Sequence, residues 1–541
     1  MLFNSLEFLI FFPIVICVYF ILPKKFKQFW LLAASYYFYM CWNAKYALLL
    51  LFSTVVTFCS GLMLEKAKHI EAGENDKKKI LNAIVAGSFI LNLAVLFFFK
   101  YTNFAFQALS GFLSRALYIY IDVPVFDIVL PVGISFYTFQ ALSYTMDVYR
   151  NEIYAEKNFI RYALFVSFFP QLVAGPIERS KNLLKQLNVP KKFCFENFRE
   201  GLLLMLWGYF LKVVIADRTA VFVDTVYNDY STYAGWYLIV ATMLFAVQIY
   251  CDFYGYSSIA VGAAKVLGIK LMENFNAPYF SAAVSQFWRN WHISLTSWFR
   301  DYLYIPLGGN CSNIAEYGKV GDMDKIEANY DTKVGIIERY RGIFITIVGG
   351  GANYRRIRKY LNKIIVFLVS GLWHGADFSY IAWGGINGLY QVIGEMLQPV
   401  RDKAVSVLKL DRDSIGHRLA KIFVTFVLID FSWIFFRASG ISDAIMIIKS
   451  IFTVRNPWIL FDGSLYKCGL DIKNFHLMII SIAVLAFADL CKCRNIRLRD
   501  VIIRQDYWFR WIFVAAAVTF ILTFGIWGAN YNAANFIYFQ F

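Results

Sequence analysis

No polar stretch in this sequence is long enough to build a soluble domain. Charged residues make up only 17% of the 541 positions and hydrophobic ones 59%. An average soluble domain has roughly 25% and 45–50%. Mean hydropathy is +0.52, and the apolar residues gather in blocks of about 15–22, the length that crosses a bilayer. Length alone would suit several soluble domains, but this composition gives a polytopic membrane protein. A cleavable leader is also missing. Met1–Glu7 holds no basic residue, and the apolar run Leu6–Leu22 meets Pro23, Lys24, Lys25 and Lys27 without a small-residue cleavage site. It is expected to stay as a first span. Motifs for RNA or DNA are absent despite a net charge of +16, so no nucleic-acid partner is expected. The basic residues sit between apolar runs, as in cytoplasmic loops, where anionic lipid headgroups are the natural partner. The nine cysteines follow no ligand spacing. Cys491-Lys492-Cys493 is too close-set for a zinc finger and lacks a second pair, so reduced structural cysteines and no metal are expected.

What is present is a series of apolar spans. They are expected at Leu6–Leu22, Gln28–Trp42, Tyr46–Leu64, Ile80–Phe99, Gly201–Ile215, Gly235–Cys251, Ile364–His374, Tyr380–Met396, Leu419–Phe436, Leu477–Leu490 and Trp511–Trp527. Because the bounds of such runs are good only to a few residues, the expected tally of crossings is about ten to twelve. Ile128–Tyr149 is broken by Pro131 and Gly133, and Phe159–Gly175 ends in Pro170 and the run Gly175-Pro176-Ile177-Glu178-Arg179. Broken, polar helices survive at membrane depth only when covered by protein or lining a cavity. Positive charge at Lys24–Lys27 and Lys77–Lys79 places both loops in the cytoplasm with the N-terminus outside. The basic loops Lys181–Lys192, Arg355–Lys363 and Lys492–Arg510 are expected on that same side. Cys311–Tyr354 reads as a polar surface insertion. Its Gly349-Gly350-Gly351 lacks the Lys-Ser/Thr of a phosphate-binding loop.

Histidine is scarce, with five in the whole chain, which narrows the search for a reactive group. His69 and His417 lie in charged loops, and His476 begins a span. His374 lies in Ser370-Gly371-Leu372-Trp373-His374-Gly375, after the apolar run Ile364–Val369. An ionisable group at that depth is costly and marks function. The bland alternative is a histidine bonded to a neighbouring helix carbonyl. Ser370, one turn earlier, would be a nucleophile with His374 as its base, but a helical serine more often bonds its own backbone. His292 lies in Gln286-Phe287-Trp288-Arg289-Asn290-Trp291-His292, and shares a face with Trp288 if the segment is helical. Three tryptophans beside arginines equally suit an interfacial helix.

Trp291-His292-x-Ser294-Leu295-x-x-Trp298-x-Arg300-Asp301-Tyr302-x-Tyr304-x-Pro306-Leu307-Gly308-Gly309 and Ser370–Gly375 together resemble the two signatures of the membrane-bound O-acyltransferases. The opening Met1–Ser5, Gly175–Arg179 and Tyr250–Ser257 are similar to the bacterial alginate O-acetyltransferase branch. Two departures stand out: the interposed Cys311–Tyr354, and Trp383-Gly384-Gly385-Ile386-Asn387-Gly388 where that branch often carries a further histidine. The resemblance implies an all-α fold, a ring of tilted helices with re-entrant segments around a funnel from cytosol to outer face. It also implies O-acyl transfer, most simply of acetyl, from a cytosolic thioester such as acetyl-CoA. The acceptor would be an exported polysaccharide, reached directly or through an extracytoplasmic acetyltransferase, and no bound cofactor is implied. An alcohol attacking a thioester must lose its proton, which makes a neutral imidazole at His374 the natural base. His292 would orient a substrate or shuttle the proton, and Trp291, Ser294, Trp298, Arg300, Asp301 and Trp373 would line the substrate path. The rivals are D-alanyl transfer to teichoic acid and a non-enzymatic export component, since broken helices also suit a transport pathway.

Overall fold

The computed structural model describes residues 1–120, 124–173, 175–308 and 351–527, with side chains from 356 onward in the last stretch. All regular structure among these residues is helical. The α-helices run α1 (Leu6–Ile21), α2 (Lys27–Met40), α3 (Ala47–Lys68), α4 (Glu74–Ala116), α5 (Ile134–Tyr149), α6 (Phe159–Ser167) and α7 (Phe169–Leu172). They continue as α8 (Ser180–Leu187), α9 (Phe195–Tyr209), α10 (Asp217–Asn228), α11 (Trp236–Val266), α12 (Val284–Asn290) and α13 (Ile293–Phe299). The last are α14 (Gly351–His374), α15 (Phe378–Met396), α16 (Gln398–Val407), α17 (Ile415–Arg437), α18 (Ile441–Thr453), α19 (Ile472–Cys493), α20 (Leu498–Ile503) and α21 (Tyr507–Phe524).

Among the described residues, six helical stretches are long and apolar enough to cross a membrane: Ala44–Lys68, α4, α11, α17, α19 and α21, while α1 is apolar but shorter. Helix α4 has 43 residues, or about 65 Å of length, and so runs well past the expected Ile80–Phe99. Residues 309–350, which hold almost all of the expected insertion at Cys311–Tyr354, lie outside the described residues. Gly351 already opens α14.

The interrupted segments lie inside the protein. Pro131 and Gly133 delay α5, whose N-cap Gly133 takes φ 75°, a conformation glycine adopts without a Cβ clash. Every α5 residue except Met146 and Tyr149 is buried. The break between α6 and α7 frees backbone groups that side chains then satisfy. Ser35 Oγ accepts from the Phe169 amide at 3.1 Å, and the Phe165 carbonyl accepts from Gln140 (2.6 Å) and Gln171 (2.8 Å). Of the two arrangements open to such helices, these segments show the covered one.

Close backbone approach sets the scaffold behind the site. On α9, Gly201 and Gly208 face Gly262 and Gly255 of α11, and a Cβ at Gly201 or Gly208 would lie 2.6 Å from the opposing glycine's carbonyl oxygen. Small residues at such crossings let helices pack where apolar burial alone gives little gain. Gly371 of α14 and Gly384 of α15 make a second crossing, where a Cβ on either would run into the other helix's backbone.

Candidate active site

His374 is the last residue of α14, and Gly375–Asp377 turn the chain into α15. Asp377 caps α15 by accepting from the Ser379 amide at 2.7 Å. This tight connection puts the imidazole against aromatic rings, with centres 4.8 Å from Trp373, 5.2 Å from Trp383 and 5.4 Å from Phe436 of α17. His374 is 5% exposed.

His292 arrives from a different element in an unusual conformation. Helix α12 ends at Asn290, Trp291 is extended, and His292 takes φ 44° and ψ 53°. The expected shared helical face of Trp288 and His292 is therefore absent, because the chain changes handedness between them. A non-glycine residue at positive φ is uncommon and persists where its surroundings hold it. Here Asn274 does so. Its carbonyl accepts from the Ile293 amide at 2.9 Å and its Oδ1 from the Ser294 amide at 3.2 Å, satisfying two otherwise orphaned donors at the start of α13. The interfacial-helix alternative also fails. Trp288, Trp291 and Trp298 are buried within the protein rather than facing headgroups.

The two imidazole centres stand 6.5 Å apart, beyond a direct hydrogen bond between the rings. Trp373 lies beside both, 4.8 Å from His374 and 6.0 Å from His292. Phe253 of α11 closes the far side of His292 at 4.5 Å. Helix α5 joins the two motifs. Its Phe136 packs on Trp373 at 5.3 Å, and its Phe139 stacks on Trp298 at 4.0 Å while accepting the Trp298 indole N–H at 2.9 Å.

The remaining predicted residues divide. Ser294 is held through its amide at the start of α13, and Trp291 packs away toward Phe275 (5.1 Å) and Trp433 (5.3 Å). Arg300 and Asp301 belong to an ionic group. Asp301 pairs with the buried Arg179 at 3.0 Å, and Arg300, whose side chain is 65% exposed, folds back on Asp301 at 2.9 Å. Ser370 is buried one turn before His374. In the stretch that departs from the resembled branch, Asn387 accepts from the Trp288 indole at 3.3 Å and donates to the Trp383 carbonyl at 2.9 Å, tying α12 to α15.

Sequence inspection missed the α5 phenylalanines, Phe253, Trp383, Phe436 and, on α4, Lys100 and Tyr101. Rings in a chain that is 19% aromatic carry no mark of their own. Lys100 did carry one, as a lone cation directly after the run Ile80–Phe99.

Two imidazoles in an apolar, aromatic enclosure suit proton transfer at a hydroxyl, and comparison with known proteins agrees. Residues 151–317, which include His292, match the family model described as MBOAT, membrane-bound O-acyltransferase family. The chain is 32% identical to the probable alginate O-acetylase AlgI of Pseudomonas aeruginosa over 92% of its own length and 82% of the relative's. It is 30% identical to the peptidoglycan O-acetyltransferase of Helicobacter pylori, over 83% and 80%. Identity to the teichoic acid D-alanyltransferase of Bacillus subtilis is 25%, over only 50% and 59%. Similarity of this depth across nearly the whole chain, together with the motif pair around His292 and His374, means that the chain belongs to the membrane-bound O-acyltransferase family.

Proposed function

We propose that this O-acyltransferase moves an acetyl group from a cytosolic thioester, with acetyl-CoA as the donor, to a hydroxyl of an exported polysaccharide, directly or by way of an extracytoplasmic acetyltransferase. His374 takes the hydroxyl proton as the oxygen attacks the thioester carbonyl. The C–S bond breaks, the ester forms, and the proton leaves with the thiolate as the free thiol. His292 orients the acceptor beside it. The observation that carries this reading is the meeting of two histidines, 82 positions apart in sequence, with ring centres 6.5 Å apart in one aromatic enclosure. Acetyl is favoured over D-alanyl because the acetyltransferase relatives align over most of the chain and the D-alanyltransferase over half of it.

The protein sits in the bacterial plasma membrane as a multi-pass protein of ten to twelve crossings. Its helices form a ring around a funnel that lets donor and acceptor reach His374 from opposite sides. The apolar helix α1, shorter than the six candidate spans, supports further crossings, and the polar, interrupted segments α5–α7 are tolerated at membrane depth because protein covers them. Purified protein in nanodiscs, given radiolabelled acetyl-CoA and an oligosaccharide acceptor, should release free thiol and label the acceptor. Lack of thioester consumption in a well-folded preparation would rule the reading out and favour an export role.

A further inference from the structure

A reactive side chain on the terminal residue of a helix sits where helices fray. The last four carbonyls of a helix have no intrahelical partner, and buried ones must find another donor. At the end of α14 every one of the four is accounted for. The Gly371 carbonyl accepts from the Gly375 amide at 3.3 Å. The next three are taken by two consecutive residues of α4. Tyr101 donates its hydroxyl to the Leu372 carbonyl at 2.9 Å, and Lys100 donates its ammonium to the carbonyls of Trp373 at 2.6 Å and His374 at 3.1 Å. The same ammonium lies 5.9 Å from the centre of the Trp373 ring, within cation–π range. A cation at a helix C-terminus also meets the negative end of the helix dipole.

From this arrangement we infer that Lys100 and Tyr101 are positioning residues for the acyl transfer, holding the end of α14 so that the His374 imidazole stays aligned with the attacking hydroxyl. The inference rests on His374 being the base. Lys100 is a cation at membrane depth, where ionisable residues are retained for a purpose. Its two carbonyl contacts belong to the two residues, Trp373 and His374, that form the contact with His292.

The test uses full-length protein in nanodiscs as Lys100→Met, Lys100→Arg, Tyr101→Phe and His374→Gln, with two readouts: steady-state acyl transfer, and hydrogen exchange of the peptide around residues 366–378. Misplacing a catalytic group by about an ångström costs up to about 100-fold. Lys100→Met should therefore lower kcat by about 10- to 100-fold while the donor KM stays within about twofold, the mark of an interaction made in the transition state. Exchange at Gly375 and its neighbours should accelerate. Lys100→Arg should recover part of kcat, because a guanidinium can still donate to both carbonyls, and Tyr101→Phe should show a smaller loss. Wild-type kcat and unchanged exchange in Lys100→Met would overturn the inference, as would a loss confined to KM. If Lys100→Met does not fold, unchanged kcat and exchange in both Lys100→Arg and Tyr101→Phe would overturn it instead. A fully active His374→Gln would remove the base assignment itself, and exchange alone would then decide whether α4 holds the helix end.

Discussion

Replacing His374 by glutamine keeps a polar side chain among Trp373, Trp383 and Phe436 but removes the group that can take a proton at neutral pH. Positioned proton transfer contributes roughly 10²–10⁴-fold, so acyl transfer by His374→Gln should fall by about that factor while expression and elution stay normal. Full activity would remove His374 from the mechanism. Under the proposed roles, His292→Ala should cost less in kcat and should raise the acceptor KM, since it removes the imidazole, packed beside Phe253 and Trp373, that would orient the acceptor and leaves the proposed base in place. Comparing kcat and acceptor KM of the two variants in one assay checks the division. The sequence singles out His292 and His374, which the structure brings within 6.5 Å, because so few histidines compete with them and because the motifs around them are long. The left-handed backbone at His292 was not, since it depends on Asn274, a residue 18 positions away that no local pattern connects to it. Lys100 was visible as a charge out of place, but its partners are carbonyls more than 270 positions distant, beyond the reach of any periodicity.

Helix α9 meets α11 through two glycine pairs, and α11 carries Phe253 onto His292. A side chain at Gly208 would meet the Gly255 carbonyl with no room to rotate away. Gly208→Val should thus force the helices apart and cost about 1–3 kcal/mol, the usual penalty of overpacking. A lowered midpoint of thermal unfolding in detergent would show it, and some activity should be lost as Phe253 shifts. An unchanged midpoint would mean that the crossing tolerates separation. Element boundaries read from hydropathy were accurate where a helix is apolar all round. The expected Leu419–Phe436 and Leu477–Leu490 became Ile415–Arg437 and Ile472–Cys493, with only polar end turns added. They failed where polar residues continue a helix. The second half of α4 mixes Lys100, Asn103, Gln107 and Arg115 with apolar positions, and α18 carries Asp443 and Lys449 within thirteen residues.

The arrangement of the whole molecule bears on which way the chain faces. Lys27 donates to the Lys191 carbonyl at 2.9 Å and Gln28 to the Leu187 carbonyl at 2.8 Å. The first basic loop and the Lys181–Lys192 loop, both expected in the cytoplasm, thus share one side. Single cysteines at Lys24 and Lys78, in a background cleared of native cysteines, should react with a membrane-impermeant maleimide only after the cells are opened. Reaction of either in intact cells would invert the topology. Helix α4 bears on the membrane itself. Its outward apolar side chains extend from Ile80 to Phe112, about 48 Å along the axis, against a hydrocarbon core about 30 Å thick. An apolar stretch of that length is accommodated by tilting, kinking or local thickening of the bilayer. Because α4 also holds the end of the His374 helix through Lys100 and Tyr101, a change in membrane thickness is predicted to reach the imidazole. In nanodiscs of graded lipid chain length kcat should vary while donor KM holds, and Lys100→Met should flatten that response. Lipid thickness would then act on this enzyme as a rheostat.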